Sequence, residues 1–400
     1  MSHTTDLYAQ YILNTARRGL TLTGGEGRRV WDDTGRCYLD FGGGIAVNCL
    51  GHQHPAMLKA LTEQAARIIH TSNLYYNEAA GRLAERLVKH MGGSGKIFFT
   101  NSGAESNECI LKLARKAGHE TGRFEFITAL NSFHGRTFAG IAATGQEKLK
   151  AGFEPMLPGF SHVPYNDLAA VEAAITPRTI AVMIEGIQGE GGICPATPEY
   201  LLGLRKLTRE RNIMLLVDAV QCGHFRTGRY QSYQRILEGK EGGESFQPDA
   251  LSMAKSLGGG FPIGAAWISE AYENVLGPGT HNTTYGGSPL ASAAANAVLD
   301  AIETEALDAN IRARGDELLA GLKPLIGKSG ITAVRGLGGL IGMAFVGEVA
   351  AEMVKKFADA GLLTIAAGTK VVRFLPALNV TSEEIAEGLG IVRGVVGATA

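Results

Sequence analysis

The chain has 400 residues, of which 45% are hydrophobic and 19% are charged, and its formal net charge is −1. A chain of this length can bury a substantial core, and its balanced charge excludes a general attraction to nucleic acid or anionic membranes. It has no run of about 18 apolar residues, so we expect no membrane span. The first residues lack a basic stretch followed by an apolar one, so we expect no signal peptide and a cytoplasmic protein acting on small molecules.

The first predicted element is a β-hairpin around the turn sequence DDTG, within residues 27–44. Four short apolar segments follow, each ending in a polar residue, and they predict buried parallel strands. These segments are KIFFT before Asn101, FEFITAL before Asn131, TIAVMI before Glu185 and IMLLV before Asp218. Apolar residues at helical spacing fill 104–118 and 198–212, so the sequence predicts an α/β domain with a mainly parallel sheet.

The residue pattern of the sequence changes near Ala291, where a long stretch with helical composition leads into two further strand-like segments, 330–347 and 370–381. We therefore predict a large domain of residues 46–294 and a smaller α+β domain formed by residues 1–45 and 295–400. The charged, glycine-rich segment 237–245 is predicted to be an exposed loop. The five cysteines are scattered without a C-x-x-C pair, which predicts reduced, buried thiols.

Polar residues after the predicted strands are the first candidates for a site, because ligands of such sheets bind beyond the carboxyl ends of the strands. Ser102, Gly103, Ala104 and Glu105 form an S-x-x-E capping box that opens a helix. A helix N-terminus of this kind also binds phosphate, although simple capping is the commoner explanation for the motif alone. Asp218 can cap a turn or can face a cationic ring nitrogen.

Four further residues complete the candidate site. Gln221 follows Asp218 closely enough to reach the same ligand, and Phe133 and Arg136 of NSFHGRT can stack on a flat ring and bind a carboxylate. Lys255 lies among small and apolar residues, where desolvation lowers the pKa of an amine and lets it form an imine with a carbonyl. Phosphate site, carboxylate, aromatic ring and lysine together predict one ligand, pyridoxal 5′-phosphate. We interpret the histidines as structural and predict no metal site.

The chain also resembles a known family over nearly its whole length. The matching segments are LDFGGGIAVNCLGHQHP, TSNLYYNE, TNSGAESNE, NSFHGRT, EGIQGEGG, DAVQCGHFRTG, AKSLGGGFPIGA, THNTTYGGSPLA and VVRFLPALNVT. In order and spacing they are similar to the class III aminotransferases of the fold-type I pyridoxal-phosphate enzymes, and most similar to the acetylornithine aminotransferases. The resemblance implies a fold-type I transferase with a large, mainly parallel domain and a smaller α+β domain.

The resemblance also implies a role for each candidate. Lys255 would bind the cofactor and carry the proton, Asp218 would keep the ring nitrogen protonated, and Gln221 would approach the ring hydroxyl. The other implied cofactor contacts are Phe133 on the ring, Ser102, Gly103 and Ala104 on the phosphate, and Thr284 on the phosphate of a partner subunit. A contact from Thr284 across subunits implies a homodimer with shared active sites.

Three residues are implied to bind the substrates. Arg373 would bind the α-carboxylate of glutamate, and Glu190 would pair with Arg373 when a terminal-amine donor is bound. Arg136 would bind the far carboxylate of either substrate. The implied reaction moves the terminal amino group of N2-acetylornithine to 2-oxoglutarate, giving N-acetylglutamate 5-semialdehyde and glutamate, a step of arginine biosynthesis.

The chain departs from the family pattern at a few positions, and these leave the donor open. Ala219 and Gly186 stand where glutamate and proline are usual, and Asn282 and Ser288 where glycine and asparagine are commoner. Succinylornithine, ornithine, 4-aminobutyrate or an acylated lysine are therefore alternative donors. A pyridoxal-phosphate-binding regulator without turnover is a further alternative, although such a protein is expected to lack the lysine or the aspartate. A dinucleotide-binding protein is disfavoured because no G-x-G-x-x-G follows a strand.

Overall fold

The computed structural model describes residues 3–16 and 18–397, so the outer limits of the predicted small domain, residues 1 and 400, lie outside the described residues. Strands and helices alternate through the first two thirds of the chain. The strands are β1 (Leu22–Glu26), β2 (Arg29–Asp32), β3 (Cys37–Asp40), β4 (Lys96–Thr100), β5 (Glu125–Ala129), β6 (Phe160–Val163), β7 (Thr179–Glu185), β8 (Ile187–Gln188), β9 (Cys194–Pro195), β10 (Met214–Asp218), β11 (Ala250–Met253), β12 (Gly264–Ile268), β13 (Ile331–Leu337), β14 (Leu340–Phe345), β15 (Leu362–Leu363), β16 (Ile365–Ala367) and β17 (Val371–Phe374).

The helices cover the sheets and connect their strands. They are α1 (His3–Tyr11), α2 (Gly43–Ala46), α3 (Pro55–Ala65), α4 (Glu78–His90), α5 (Gly103–Ala117), α6 (Phe138–Ala143), α7 (Leu168–Ala174), α8 (Pro198–Glu210), α9 (Ser232–Ile236), α10 (Pro289–Thr304), α11 (Leu307–Leu322), α12 (Ala350–Asp359) and α13 (Ser382–Gly397). Both helices predicted from apolar spacing, at 104–118 and 198–212, are confirmed as α5 and α8.

A seven-stranded sheet forms the centre of the molecule, in the order β4-β12-β11-β10-β7-β5-β6. Strand β12 is antiparallel to both of its neighbours, β11 and β4, and the other pairs are parallel. The prediction of a mainly parallel sheet is therefore confirmed. The loop 254–263 joins β11 to β12 and is closed at its base by the paired residues Met253 and Ala265.

The apolar runs of the central strands are explained by burial on both faces of the sheet. In β10, Leu215 and Val217 pack into one hydrophobic cluster, whereas Met214 and Leu216 pack into a second. Successive side chains of a strand point to opposite faces, so a strand covered on both sides needs apolar residues at every position. This is why the sequence shows continuous runs rather than alternation.

Two four-stranded sheets lie outside the central sheet, and one of them joins segments from the two ends of the chain. One has the order β1-β2-β3-β15, in which the predicted hairpin β2–β3 is confirmed and β3 pairs in parallel with β15. The other has the order β13-β14-β17-β16. The segments predicted to form a smaller unit are thus joined through the sheet, while the division at residues 45/46 and 294/295 stays a prediction.

The segment 237–245, predicted to be an exposed loop, is mostly exposed. Glu238 attaches this segment to the rest of the protein through ion pairs with Arg229, Arg235 and Arg312. The cysteines of the described residues are free, but the prediction that they are buried is wrong for Cys37, which is exposed, and Cys194 is only half-buried. Cys37 is the first residue of β3, directly after the hairpin turn, and it is exposed to solvent.

Candidate active site

A cavity of about 430 Å³ lies at the carboxyl edge of the central sheet. Strands β7 and β10 end there at Glu185 and Asp218, which are paired in register. The segments that follow β4, β5 and β11 contribute Ser102, Phe133 and Lys255 to the same cavity. Because parallel strands end at one edge of the sheet, residues that are far apart in the sequence meet at this point.

Most of the predicted site residues line this cavity. Those that do so are Ser102, Gly103, Ala104, Phe133, Arg136, Glu190, Asp218, Gln221 and Lys255. Arg373 does not line the cavity but is ion-paired with Glu190, which does. Thr284 is exposed and lies outside the cavity of its own chain. The sequence prediction thus identified one compact group of side chains and one residue apart from it.

Asp218 is held in one orientation by three hydrogen bonds. Its Oδ2 accepts from Asn107 Nδ2 at 2.7 Å and from His134 Nδ1 at 2.9 Å, and its Oδ1 accepts from the main-chain N–H of Val220 at 3.0 Å. Asn107 is fixed in turn by Ser252, whose hydroxyl donates to Asn107 Oδ1 at 2.6 Å. Both predicted roles of Asp218 are therefore compatible, since the same carboxylate caps a turn and faces the cavity.

His134 was interpreted as structural, and that interpretation is incomplete because His134 lines the cavity. Burial lowers the pKa of His134, but the hydrogen bond and charge of Asp218 outweigh burial and raise that pKa above its ordinary value. A cationic imidazole beside Asp218 stabilises the ionised carboxylate. The sequence offered a signal in the NSFHGRT motif, whereas Asn107 lies inside a helix and carried none.

Glu185 is a second buried carboxyl group at the cavity. Burial raises its pKa to about 8; His134 and the N–H groups of Gly189 and Phe133 oppose this rise, and Asp218 adds to it. Its oxygens accept hydrogen bonds from the main-chain N–H groups of Phe133 and Gly189, each at 3.2 Å. Its position at the end of a predicted strand was the signal that it faces the ligand-binding edge.

Lys255 occupies a backbone conformation that is uncommon for a residue with a side chain, with φ of 50°. Burial lowers the pKa of its ammonium, and the charge of Glu190 opposes that effect. Its segment follows β11 directly and turns back towards β12 through the glycines 258–260. A lysine with a lowered pKa in a cavity is a candidate nucleophile and base.

The N-terminus of α5 lies at the cavity, and Ser102 caps it. The Ser102 hydroxyl accepts from the main-chain N–H of Glu105 at 3.2 Å. The predicted capping box is only half correct, because the Glu105 carboxylate accepts from the N–H of Asn101 at 2.6 Å instead of returning to Ser102. The N–H groups of the first helical turn have no partner within the helix, so they can bind an anion.

Arg373 forms a two-pronged ion pair with Glu190, at 2.6 Å from Nη1 to Oε1 and 3.2 Å from Nη2 to Oε2. Its Nη1 also donates to Gln221 Oε1 at 2.9 Å, and its Nη2 to the carbonyl of Ala366 at 2.8 Å. Arg136 is exposed at the mouth of the cavity, with its guanidinium 5.5 Å from the ring centre of Phe133. Among the described residues, Arg136 thus lines the cavity without an ion pair, whereas Arg373 lies outside the lining and is neutralised by Glu190.

Within residues 3–16 and 18–397, no helix is long and apolar enough to cross a membrane. No group of three or more His, Cys, Asp or Glu side chains among the same residues can hold a metal ion.

Comparison with known proteins gives consistent results over the full chain. The family model described as aminotransferase class-III matches residues 13–396. The acetylornithine aminotransferase of Gloeobacter violaceus is 44% identical over 394 residues, which are 97% of this chain and 96% of that protein. The succinylornithine transaminase of Salmonella paratyphi A is 45% identical over 372 residues, covering 91% of this chain and 89% of that protein.

Solved structures of aminotransferases also match this chain. The ornithine aminotransferase of Toxoplasma gondii superposes with a TM-score of 0.92 at 30% identity, covering 99% of this chain and 94% of that one. The N-acetylornithine aminotransferase of Stenotrophomonas maltophilia superposes with a TM-score of 0.83 at 34% identity, covering 98% of each chain. Class III aminotransferases depend on pyridoxal phosphate and have the fold-type I architecture. The chain belongs to the class III aminotransferase family.

Proposed function

We propose that this enzyme transfers the terminal amino group of N2-acetylornithine to 2-oxoglutarate, as a cytoplasmic step of arginine biosynthesis. Relatives named acetylornithine aminotransferase match almost the whole chain at 44% identity. The observation that carries the proposal is the Glu190–Arg373 ion pair at a cavity that also contains Arg136. N2-Succinylornithine is the second candidate donor, since relatives named succinylornithine transaminase match equally well.

The cavity residues fit pyridoxal phosphate. The N-terminus of α5 with Ser102, Gly103 and Ala104 would hold the phosphate, Phe133 would stack on the ring, and Gln221 would reach the ring hydroxyl. Gly103 leaves room for this arrangement, because a Cβ at that position would lie 2.6 Å from Val220 Cγ1. When bound, the cofactor supplies an electron sink for the carbon that carries the reacting amine.

Asp218 would accept the hydrogen bond of the protonated ring nitrogen. Its carboxylate is already oriented by Asn107 and His134, so little reorganisation accompanies the reaction. Lys255 would bind the cofactor through its amine and would move a proton at the substrate carbon that carries the amino group. The lowered pKa of Lys255 increases the fraction of free amine at neutral pH, which both roles need.

Glu190 and the two arginines would let one cavity accept two unlike substrates in turn. Acetylornithine presents its carboxylate to Arg136 and has no anion for Arg373, so Glu190 neutralises that buried arginine. Glutamate presents its α-carboxylate to Arg373, and Glu190 then moves aside. The second carboxylate of glutamate binds Arg136, so both substrates use that residue.

We also propose a homodimer with composite active sites, in which Thr284 would bind the phosphate held by the partner subunit. Thr284 is exposed and lies next to Tyr285, a large apolar side chain that is 63% exposed. Tyr76, at 108% relative exposure, and Leu74, at 79%, are further apolar side chains open to solvent in a preceding segment. Exposed apolar side chains in such numbers are typical of a surface that another protein covers.

A panel of donors tests the proposed reaction. Purified holoenzyme would be assayed for kcat/KM with N2-acetylornithine, N2-succinylornithine, ornithine, 4-aminobutyrate and an acylated lysine, each with 2-oxoglutarate as acceptor. We expect an acylated ornithine to have the highest value. A higher value for ornithine or 4-aminobutyrate would contradict the proposed substrate, and absence of turnover with every donor would favour a regulator that only binds the cofactor.

A further inference from the structure

Glu185 is a buried, ionisable group at the cavity to which the proposed reaction gives no role. The residue is 6% exposed. Its two carboxyl oxygens bind different parts of the chain: Oε2 accepts from the N–H of Phe133 and Oε1 from the N–H of Gly189, each at 3.2 Å. Each of these N–H groups belongs to a segment that carries a substrate-binding residue.

The first segment follows β5 and carries Arg136, three residues after Phe133. The second follows β8 and carries Glu190, the residue after Gly189, which is ion-paired with Arg373. The carboxyl group of Glu185 is therefore hydrogen-bonded both to the segment that carries Arg136 and to the segment that carries Glu190. A change in either contact would move one segment relative to the other.

The residue type suits this position. Both oxygens of a carboxyl group can accept an N–H, whether the group is ionised or protonated, whereas an amide of the same size replaces one of them with an NH₂ donor. A glutamine here would direct its NH₂ group at one of the two main-chain N–H groups, and that segment would have to move. A buried carboxyl group beside Asp218 is costly, so the position retains it at the expense of stability.

We propose that Glu185 is a positioning residue that sets the separation of Arg136 from the Glu190–Arg373 pair, and thereby selects dicarboxylates with the carbon spacing of 2-oxoglutarate. The inference rests on the proposed function, because it assumes that a dicarboxylate spans the two arginines. Glu185 acts through the main chain of its neighbours and does not itself contact the substrate.

The test is a chain-length series of unreactive dicarboxylates. Binding of succinate, glutarate and adipate to the holoenzyme would be measured by titration calorimetry, with butyrate as a probe that uses a single arginine. We expect the wild type to prefer glutarate. Glu185→Gln should weaken glutarate binding about tenfold, as for one lost main-chain hydrogen bond, and should reduce the preference over succinate and adipate. Butyrate binding should change less than about twofold, because it needs no fixed separation.

Two further variants separate positioning from the chemical type of the side chain and from packing. Glu185→Asp keeps the carboxyl group but is too short to reach both N–H groups, so it should resemble Glu185→Gln. Tyr165→Phe is the matched control, since the Tyr165 hydroxyl donates to the main-chain carbonyl of Glu185 at 2.6 Å and not to its carboxylate. This variant should retain the preference of the wild type for glutarate.

The outcomes are distinct. A preference for glutarate that is unchanged in Glu185→Gln would overturn this inference and leave the proposed function intact. Wild-type affinity in Glu185→Asp would also overturn it, because a carboxyl group that cannot reach both N–H groups would then suffice; that variant decides the question if Glu185→Gln does not fold. A wild type that binds the three dicarboxylates equally would overturn both the inference and the two-arginine part of the proposed function.

Discussion

At the scale of single residues, the proposed reaction would require Arg373, beside the cavity, to exchange its ion-pair partner. Arg373 is 2% exposed and is neutralised by Glu190 at 2.6 Å. Glu190→Gln removes that charge, so Arg373 is left without an anion unless the substrate supplies one. We expect the variant to favour the glutamate half-reaction over the acylornithine half-reaction by about tenfold. Single-turnover rates of each half-reaction, followed by cofactor absorbance, measure the ratio.

Arg136→Ala is the companion variant, because both substrates would place a carboxylate on Arg136. We expect kcat/KM to fall roughly 100-fold in both half-reactions, as for the loss of about 3 kcal/mol of charged hydrogen bonding. An equal effect of Glu190→Gln on the two halves, or an unaffected acylornithine half-reaction in Arg136→Ala, would contradict the proposed use of the two arginines.

The pair of His134 and Asp218 predicts a pH-dependent contribution to stability. The pKa of His134 in the folded state is raised above its ordinary 6.5. The stabilisation is therefore fully present below the unfolded-state pKa and is lost as the pH rises through the folded-state pKa. We expect His134→Asn to lower the midpoint of thermal unfolding more at about pH 6 than at about pH 9.

His162 provides a control with the opposite sign. Burial, and then the charge of Lys150, lower its pKa below the ordinary value. Its contribution to stability is lost as the pH falls, so His162→Asn should cost less at about pH 6 than at about pH 9. The same direction of change in both variants would show that the pH dependence does not come from the pairing of His134 with Asp218.

At the scale of elements, two helical glycines predict opposite effects of the same substitution. Gly103 begins α5, and an added Cβ would lie 2.6 Å from Val220 Cγ1. Gly81 lies in α4 with nothing within 4 Å of such a Cβ. We expect Gly103→Ala to destabilise by about 1–3 kcal/mol through overpacking, and Gly81→Ala to stabilise by about 0.5–1 kcal/mol.

Chemical denaturation of the two variants measures both changes. Gly103→Ala should also weaken the binding of inorganic phosphate to apoenzyme, since the N-terminus of α5 must shift, whereas Gly81→Ala should not. Equal stabilities of the two variants would mean that the contact with Val220 does not restrict the start of α5.

Some features of the strands and helices could be predicted from sequence patterns, and others could not. Apolar runs ending in Asp218 and Glu185 predicted strands and their polar ends, because burial on both faces leaves a continuous apolar pattern. The direction of β12 and the partner of Glu105 were not predictable in the same way. Both depend on which main-chain groups lie nearby in the folded chain. The Glu105 carboxylate could accept from the N–H of Asn101 or of Ser102, which are one residue apart, and it binds Asn101.

At the scale of the whole molecule, the proposed homodimer predicts complementation between two defective chains. Lys255→Ala lacks the amine but keeps Thr284, and Thr284→Ala keeps the amine but would weaken the phosphate site of its partner. A heterodimer of the two would contain one site with both defects and one with neither. We expect mixing and subunit exchange to restore activity to about a quarter of the wild type, since half of random dimers would have one intact site of two.

Native mass spectrometry would confirm exchange, and Lys255→Ala mixed with wild type is the control for exchange itself. A mixture that exchanges subunits yet gains no activity would contradict binding of the phosphate across the interface. The sequence alone placed Thr284 with the cofactor only by resemblance, and its own chain leaves it exposed outside the cavity. Contacts between subunits have no periodicity or strand-end signal in a single sequence.

The loop 254–263 gives the protein a property that its catalytic groups do not explain. Lys255 follows β11 in a hairpin whose two strands, β11 and β12, are paired on their outer sides with β10 and β4. Both ends of the loop are therefore anchored in the central sheet. In the proposed reaction, Lys255 would leave the cofactor and rejoin it in every cycle. A tether of this kind returns the amine to the same place each time, so the accuracy of repeated turnover is set by the rigidity of the sheet.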